Sequence, residues 1–247
     1  MKTILDAQNL TKIYGLDTHH PVHAINDISL QINEGEFVVI MGPSGSGKST
    51  LLNNISTIDI PTKGHLYIND SEIQQMSENQ LGKFRYQHLG FIFQDFNLLD
   101  SLTVYENIMI PLKLGGLSTQ EIDEKVHRIT QKLDIEDLLD KYPFECSGGQ
   151  QQRVTIARAL VTNPKLIVAD EPTGNLDSKN SHDILTMFKE LNEKEGITIV
   201  MVTHDPMIAS YSSRFLYIKD GVIDQTLERH ELSQEDYFYK IVDINSH

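Results

Sequence analysis

The sequence predicts an α/β chain built on a mostly parallel sheet covered on both sides, and three observations predict it. Strand-sized apolar runs, "FVVIM" at 37–41 and "LIVAD" at 166–170, are continuous rather than alternating, as in strands buried on both faces. Helical segments are interspersed with them, the pattern of strand–helix–strand units. A glycine-serine stretch, "GPSGSGKST" at 42–50, follows the first run directly and leads into "LLNNIS". Glycine costs backbone entropy on ordering, so this stretch needs a local use that repays it.

In chain order, residues 3–40 read as short strands with turns. "TILDAQNL" is a strand, "GLDTHHP" a loop, and "AINDISLQI" alternates apolar and polar positions at period 2 before the turn "NEGE". "KSTLLNNIS" reads as a helix and "TKGHLYIND" as a turn with an edge-like strand. From about 76 to 162 the pattern is mostly helical. Ile122, Val126, Ile129 and Leu133 share one face of a helix over 118–135, N-capped by Ser118 with Glu121 completing a capping box. "SGGQQQRVTIARAL" is a further helix, N-capped by Ser147. A strand "KLIVAD", a helix "HDILTMFKELNEKEG", a strand "ITIVMVTHD" and a last strand "FLYIKDGVID" close the chain, with no internal repeat.

Composition narrows the function classes. The 247 residues are 39% hydrophobic and 23% charged, ordinary for a folded domain. No apolar run approaches the roughly 20 residues that cross a bilayer, and the first residues carry no apolar signal region. A single cysteine, Cys146, excludes an internal disulfide framework and fits a reducing compartment, the cytosol. The net charge of −14 argues against nucleic acid and anionic lipid as partners, since both need a basic face. Membrane association is therefore expected to run through a protein partner.

The glycine-serine stretch fits G-x-x-x-x-G-K-[ST] at Gly42, Gly47, Lys48 and Ser49. All of Gly42, Pro43, Ser44, Gly45, Ser46, Gly47, Lys48, Ser49 and Thr50 fall in a candidate triphosphate cradle. Its glycines let backbone N–H groups turn toward phosphate oxygens, and the following helix offers its positive N-terminus to the same anion. In such a cradle the lysine reaches the β- and γ-phosphates and the serine hydroxyl holds Mg²⁺. "LIVAD" ends in a carboxylate where a buried strand opens on a site, which makes Asp170 a candidate Mg²⁺ ligand and Glu171 a candidate general base for water. A plain glycine-serine turn and an acidic surface turn before Pro172 are the competing readings. The flanking strand and helix favour the site.

Further stretches narrow the kind of triphosphate enzyme. "CSGGQQQR" at 146–153 resembles the signature of ATP-binding-cassette (ABC) ATPases. In the family's order, Tyr14 in "LTKIYG" is similar to its adenine-stacking aromatic and Gln94 in "FIFQDFNLL" to its Q-loop glutamine. "GNLDS" at 174–178 resembles the D-loop, and His204 in "MVTHD" the switch histidine. The resemblance runs from residue 14 to residue 204. It implies a P-loop NTPase fold, with an N-terminal antiparallel β subdomain and a RecA-like core over about 1–93 and 163–247, and a helical subdomain over about 94–162. It implies ATP and Mg²⁺, with Gln94 joining Ser49 and Asp170 at the ion, and Lys48, Glu171, His204 and Gln94 as the catalytic set. It also implies that two copies pair head to tail, so that Ser147, Gly149 and Gln150 serve the partner's ATP and Asp177 crosses the interface.

One departure concerns Cys146, where the family's signature begins with leucine. A small apolar thiol fits a similar half-buried slot, and a redox-sensitive thiol is the competing reading. With no span of its own, the cassette is expected to dock on a permease at the cytoplasmic face of the membrane. The stretch "DFNLLDSLTVYENIMIPLKLGG" is either the receiver for the permease or core of the helical insertion. "DFNLLDSLTVYENIMIPL" and the tail "YFYKIVDINSH" look most like bacitracin- and lantibiotic-type peptide-resistance transporters, within a group that includes lipoprotein-release and macrolide-efflux ATPases. In that setting a sensor histidine kinase is a possible further partner through the permease. A cell-division ATPase with a non-transporting membrane partner is the main rival, and a soluble ATPase acting on ribosomes or DNA a weaker one. The tail is expected to form a short amphipathic helix packed on its own domain.

Overall fold

Alternation along three strands decides the layering. In the computed structural model, which describes residues 2–18 and 20–246, strand β3 (Phe37–Met41) is buried along its whole length. Phe37, Val39 and Met41 face one hydrophobic cluster, and Val38 and Ile40 face the other. The strands β7 (Leu166–Asp170) and β8 (Thr198–Val202) divide the same way, with Ile167, Ala169, Ile199 and Met201 on one side and Leu166, Val168, Val200 and Val202 on the other. A sheet buried on both faces has no polar side, which is why these runs are continuous in the sequence.

This sheet has six strands in the order β10-β9-β3-β8-β7-β6, with β6 at Leu89–Ile92, β9 at Arg214–Lys219 and β10 at Val222–Glu228. All neighbours are parallel except the β9–β10 pair. The helices α1 (Lys48–Ile55) and α6 (Ser178–Glu195) follow β3 and β7 respectively. A second sheet is antiparallel, in the order β2-β1-β4-β5, from β1 (Thr3–Tyr14), β2 (Val22–Asn33), β4 (Lys63–Ile68) and β5 (Ser71–Glu72). Its apolar face joins α1 and the near side of the six-stranded sheet in one core, through Leu5, Leu10, Ile25, Leu51 and Ile55. The helices α3 (Val104–Leu114), α4 (Thr119–Lys132) and α5 (Gly148–Leu160) share the opposite core with Phe37 and Val39.

Several expected elements take a different form. The first strand runs on to Tyr14, past the expected end at Leu10, through an irregular register around Asn9, whose φ is +51°. The stretch 76–162 is not wholly helical: after α2 (Glu78–His88) it contributes β6 to the parallel sheet. "FLYIKDGVID" is a hairpin rather than one strand. It turns at Asp220 and Gly221, both with positive φ, the backbone that an Asp-Gly pair supplies in a two-residue hairpin turn. The edge-like strand "TKGHLYIND" is covered on its outer side by the two residues of β5. The loop expected over 15–21 includes His19, and the tail ends in His247; both lie outside the described residues. After the short α7 (Pro206–Ala209), the tail otherwise forms α8 (Gln234–Asn245), which buries Tyr237 and Ile241 on its own domain.

Candidate active site

The strands β3, β8, β7 and β6 are parallel neighbours, so their C-terminal ends open on one edge. That edge is where open α/β sheets bind ligands. It carries the cradle after Met41, Asp170 and Glu171 after β7, His204 after β8 and Gln94 two residues beyond Ile92.

The cradle is held by backbone contacts that only glycine permits. Gly42, Gly45 and Gly47 have φ of +152°, +77° and +102°. A Cβ on Gly42 would lie 1.9 Å from the Ile218 carbonyl oxygen, and one on Gly47 would lie 2.2 Å from that of Ala24. The loop is further pinned where Gly221 N–H donates to the Ser46 carbonyl at 3.0 Å. Ser46 Oγ is buried with no hydrogen-bond partner, an uncompensated polar group that an anion in the loop would satisfy. Lys48 Nζ donates to the carbonyls of Gly42 and Pro43, at 2.9 and 2.8 Å. Burial lowers the lysine's pKa, while the charges of Glu171 and Asp170 work to raise it.

Asp170 and Glu171 sit beside this cation. Burial raises the Asp170 pKa, the neighbouring Glu171 charge adds to it, and Lys48 opposes both. A carboxylate pushed this way gains from any cation delivered to it. Glu171 has a left-handed φ of +44°, an uncommon conformation for a residue with a side chain. Its N–H donates to the Val202 carbonyl at 2.9 Å and its carbonyl accepts from Gly174 at 3.0 Å, which hold the turn. The side chain then meets His204, whose Nδ1 lies 3.0 Å from Glu171 Oε1.

Gln94 points elsewhere. Its Nε2 is 3.5 Å from Asn175 Oδ1, and Asn175 donates back to the Gln94 carbonyl at 3.0 Å and to Asp95 at 3.1 Å. The expected Mg²⁺ ligand is thus turned toward the "GNLDS" segment. The Ser147 tip is also packed there. A Cβ on Gly149 would lie 2.5 Å from Asn180 Oδ1, and Asn180 is fixed by Asp177, which caps α6 through Asn180 N–H at 2.9 Å. Among the described residues no hydrogen bond or ion pair joins Ser147, Gly149 or Gln150 to residues 42–50. Ser147 caps α5 as expected, and the Gln150 side chain closes a capping box onto Ser147 N–H at 2.9 Å. Cys146 is buried, and burial raises its thiol pKa. It fills a packing slot, and burial outweighs the Lys141 charge that works to lower its pKa.

Tyr14 stands at the end of β1 with its ring partly exposed. Three of the residues that organise the site carried no role in the sequence reading: Asp59, Lys12 and Asn180. Asn175 lay inside a recognised motif without a role of its own. Lys12 lies inside "LTKIYG" without a role of its own, and Asp59 has no motif signal because it meets Lys12 across 47 residues of chain.

This geometry has close counterparts. The ABC transporter family model matches residues 25–174. The chain belongs to the ABC transporter family. It is 47% identical over 246 residues to the ABC transporter ATP-binding protein YxdL of Bacillus subtilis, covering 100% of this chain and 95% of that one. It is 48% identical over 239 residues to the bacitracin export ATP-binding protein BceA of Halalkalibacterium halodurans, covering 97% and 94%. Among solved structures it resembles the ATP-binding cassette MJ0796 of Methanocaldococcus jannaschii, a dimer in a post-hydrolysis state bound to ADP and phosphate. The TM-score is 0.83 at 42% identity, over 91% of this chain and 98% of that one. As an ABC ATPase, the protein binds and hydrolyses ATP.

Proposed function

We propose that this ABC ATPase energises a separate permease in resistance to peptides of the bacitracin type. The observation that carries the ATPase part is the convergence of Lys48, Asp170, Glu171 and His204 on one edge of the sheet. The bacitracin part is supported by the 48% identity to BceA along nearly the whole chain. A macrolide-export reading has support in 44% identity to MacB of Syntrophobacter fumaroxidans. That match covers 31% of MacB, which is named an ATP-binding/permease protein, whereas among the described residues here no helix is long and apolar enough to cross a membrane.

ATP lies with its phosphates in the cradle, and Lys48 Nζ leaves the Gly42 and Pro43 carbonyls for phosphate oxygens. The residues present fit Mg²⁺ through hard oxygens: Ser49 and Asp170 would hold it with the phosphates, and Gln94 would need to leave Asn175 to join them. Asp170, whose pKa burial and Glu171 both raise, would gain from the cation, and a single carboxylate beside phosphate oxygens is an ordinary setting for Mg²⁺. When bound, Mg²⁺ supplies neutralisation of phosphate charge. Glu171 takes a proton from the attacking water, and His204 orients the Glu171 carboxylate and contacts the γ-phosphate. Ser147, Gly149 and Gln150 serve the ATP of a second copy, whose Asp177 lies at the shared seam. The permease docks in a groove lined by Tyr86, Phe91, Phe93, Ile110 and Leu114. Of the candidate docking stretch, Val104, Ile108 and Leu112 belong to the core, while Leu114 is 82% exposed. A histidine kinase would join through the permease.

The test is Glu171→Gln. It should lower ATP turnover by about 10² to 10⁴, the worth of a positioned base, and accumulate an ATP-bound dimer in size-exclusion chromatography. Unchanged turnover removes Glu171 from the role of base. For the cargo, membranes carrying the native permease should release a co-purifying complex whose ATPase rate rises with bacitracin and not with a macrolide.

A further inference from the structure

Around Tyr14 the chain builds a three-residue arrangement that joins Lys12, from the same "LTKIYG" stretch, to Asp59, which lies outside every quoted family motif. Tyr14 Oη donates to Asp59 Oδ2 at 2.8 Å. Lys12 Nζ donates to Asp59 Oδ1 at 2.5 Å and to the Ile60 carbonyl at 2.8 Å, and stands 5.1 Å from the centroid of the Tyr14 ring. The Lys12 and Asp59 side chains are only 13% and 29% exposed, while Tyr14 keeps 42% of its surface open. Thus one ring face is covered by a cation, the hydroxyl is tied to a carboxylate, and open surface remains for a ligand. The Tyr14 pKa is raised by burial and by Asp59, with the Thr50 side chain acting the other way. Thr50 belongs to the cradle, so the ring stands beside the phosphate site.

We propose that the Lys12–Asp59 ion pair is a positioning device that holds the Tyr14 ring as a stacking platform for the nucleobase. The inference rests on ATP binding at the cradle and adds residues to that site. A free tyrosine at a strand end rotates about χ1, and immobilising a base against it costs that freedom. Here the freedom is already lost before ligand arrives, because the ring is fixed at its tip by Asp59 and at one face by Lys12. The cation on the covered face attracts the ring's π-system. A platform reads the face of a base rather than its edge, and every base has a face. ATP and GTP should therefore depend on it to a similar degree.

The experiment measures Kd for ATP, GTP and inorganic triphosphate on the full chain by calorimetry, for the native protein, Tyr14→Ala, Tyr14→Phe and Asp59→Ala. Tyr14→Ala should weaken ATP by about 10-fold or more, within the range of base–aromatic stacking. Tyr14→Phe keeps the ring but loses the tether, and Asp59→Ala loses tether and ion pair together. Both should weaken ATP and GTP by about 3- to 10-fold, and triphosphate binding should stay at the native value in all variants. If Tyr14→Ala binds ATP as well as the native protein, base stacking at Tyr14 itself fails. If Tyr14→Ala is weakened but Tyr14→Phe and Asp59→Ala are native-like, stacking stands and the positioning role is overturned. Equal loss for ATP and triphosphate in Asp59→Ala also overturns it, since the damage is then to the cradle.

Discussion

Two helix N-termini in this molecule are proposed to meet phosphate, and they are built in opposite ways. The cradle ahead of α1 is shaped from outside. Its glycines are wedged against the carbonyls of Ile218 and Ala24, its buried Ser46 hydroxyl has no partner, and Gly47, the residue before α1, makes no side-chain cap. The tip ahead of α5 is shaped from within. Ser147 and Gln150 cap each other's backbone, and neither Gly148 nor Gly149 has a positive φ. The first is a preformed receptor with unmet demand for an anion. The second meets part of its own demand through the Ser147–Gln150 capping box, which leaves the N–H groups of Gly148 and Gly149 to offer a phosphate. The difference teaches where to look for nucleotide affinity: it is expected at the preformed terminus, with the other contributing, under the proposed pairing, when a second copy brings a triphosphate to it.

Paired glycine substitutions probe this contrast with the largest expected effect. Gly47→Ala forces a Cβ into the Ala24 carbonyl at a φ of +102°, and the full chain should lose ATP binding by about 100-fold or more, since both clash and backbone strain act on the cradle. Gly149→Ala meets the Asn180 side chain instead. It should leave the Kd for ATP of the isolated chain within about 2-fold, because the substitution lies outside the cradle, while abolishing dimerisation in the Glu171→Gln background. Equal damage to ATP affinity by both substitutions would break the comparison.

Ser147→Ala gives a smaller, sharper test. Loss of the cap should cost about 1 kcal/mol of stability in chemical unfolding, with ATP affinity unchanged and cooperative turnover reduced. The smallest effect concerns Cys146, next to that tip. Burial raises its pKa above the ordinary 9.0, so the thiol stays protonated at neutral pH. Alkylation by iodoacetamide should be slow at pH 7 and climb with pH without levelling off by pH 9.0. Fast labelling at pH 7 would mean that the segment ahead of the tip opens readily.

Much of the site was legible because it is local. The spacing from Gly42 to Ser49, the carboxylate closing "LIVAD" and the serine opening "SGGQ" each draw their chemistry from neighbouring residues. The strand β6 escaped detection because its four residues, "LGFI", are too few to show a period against the helices around them. The Asp-Gly turn within "FLYIKDGVID" was a readable signal passed over. The orientation of Gln94 toward Asn175 could not be read, because it joins residues 81 positions apart.

By itself the sequence determined most of the core strands and helices, the candidate triphosphate cradle and the family's ordered motifs, since these follow from local spacing, propensity and periodicity. Only the tertiary structure decided which carbonyls confine the glycines, that Glu171 meets His204, and that Lys12 and Asp59 converge on Tyr14. Those arrangements depend on strand order and register, which bring distant residues within a hydrogen bond of each other and which no local pattern encodes.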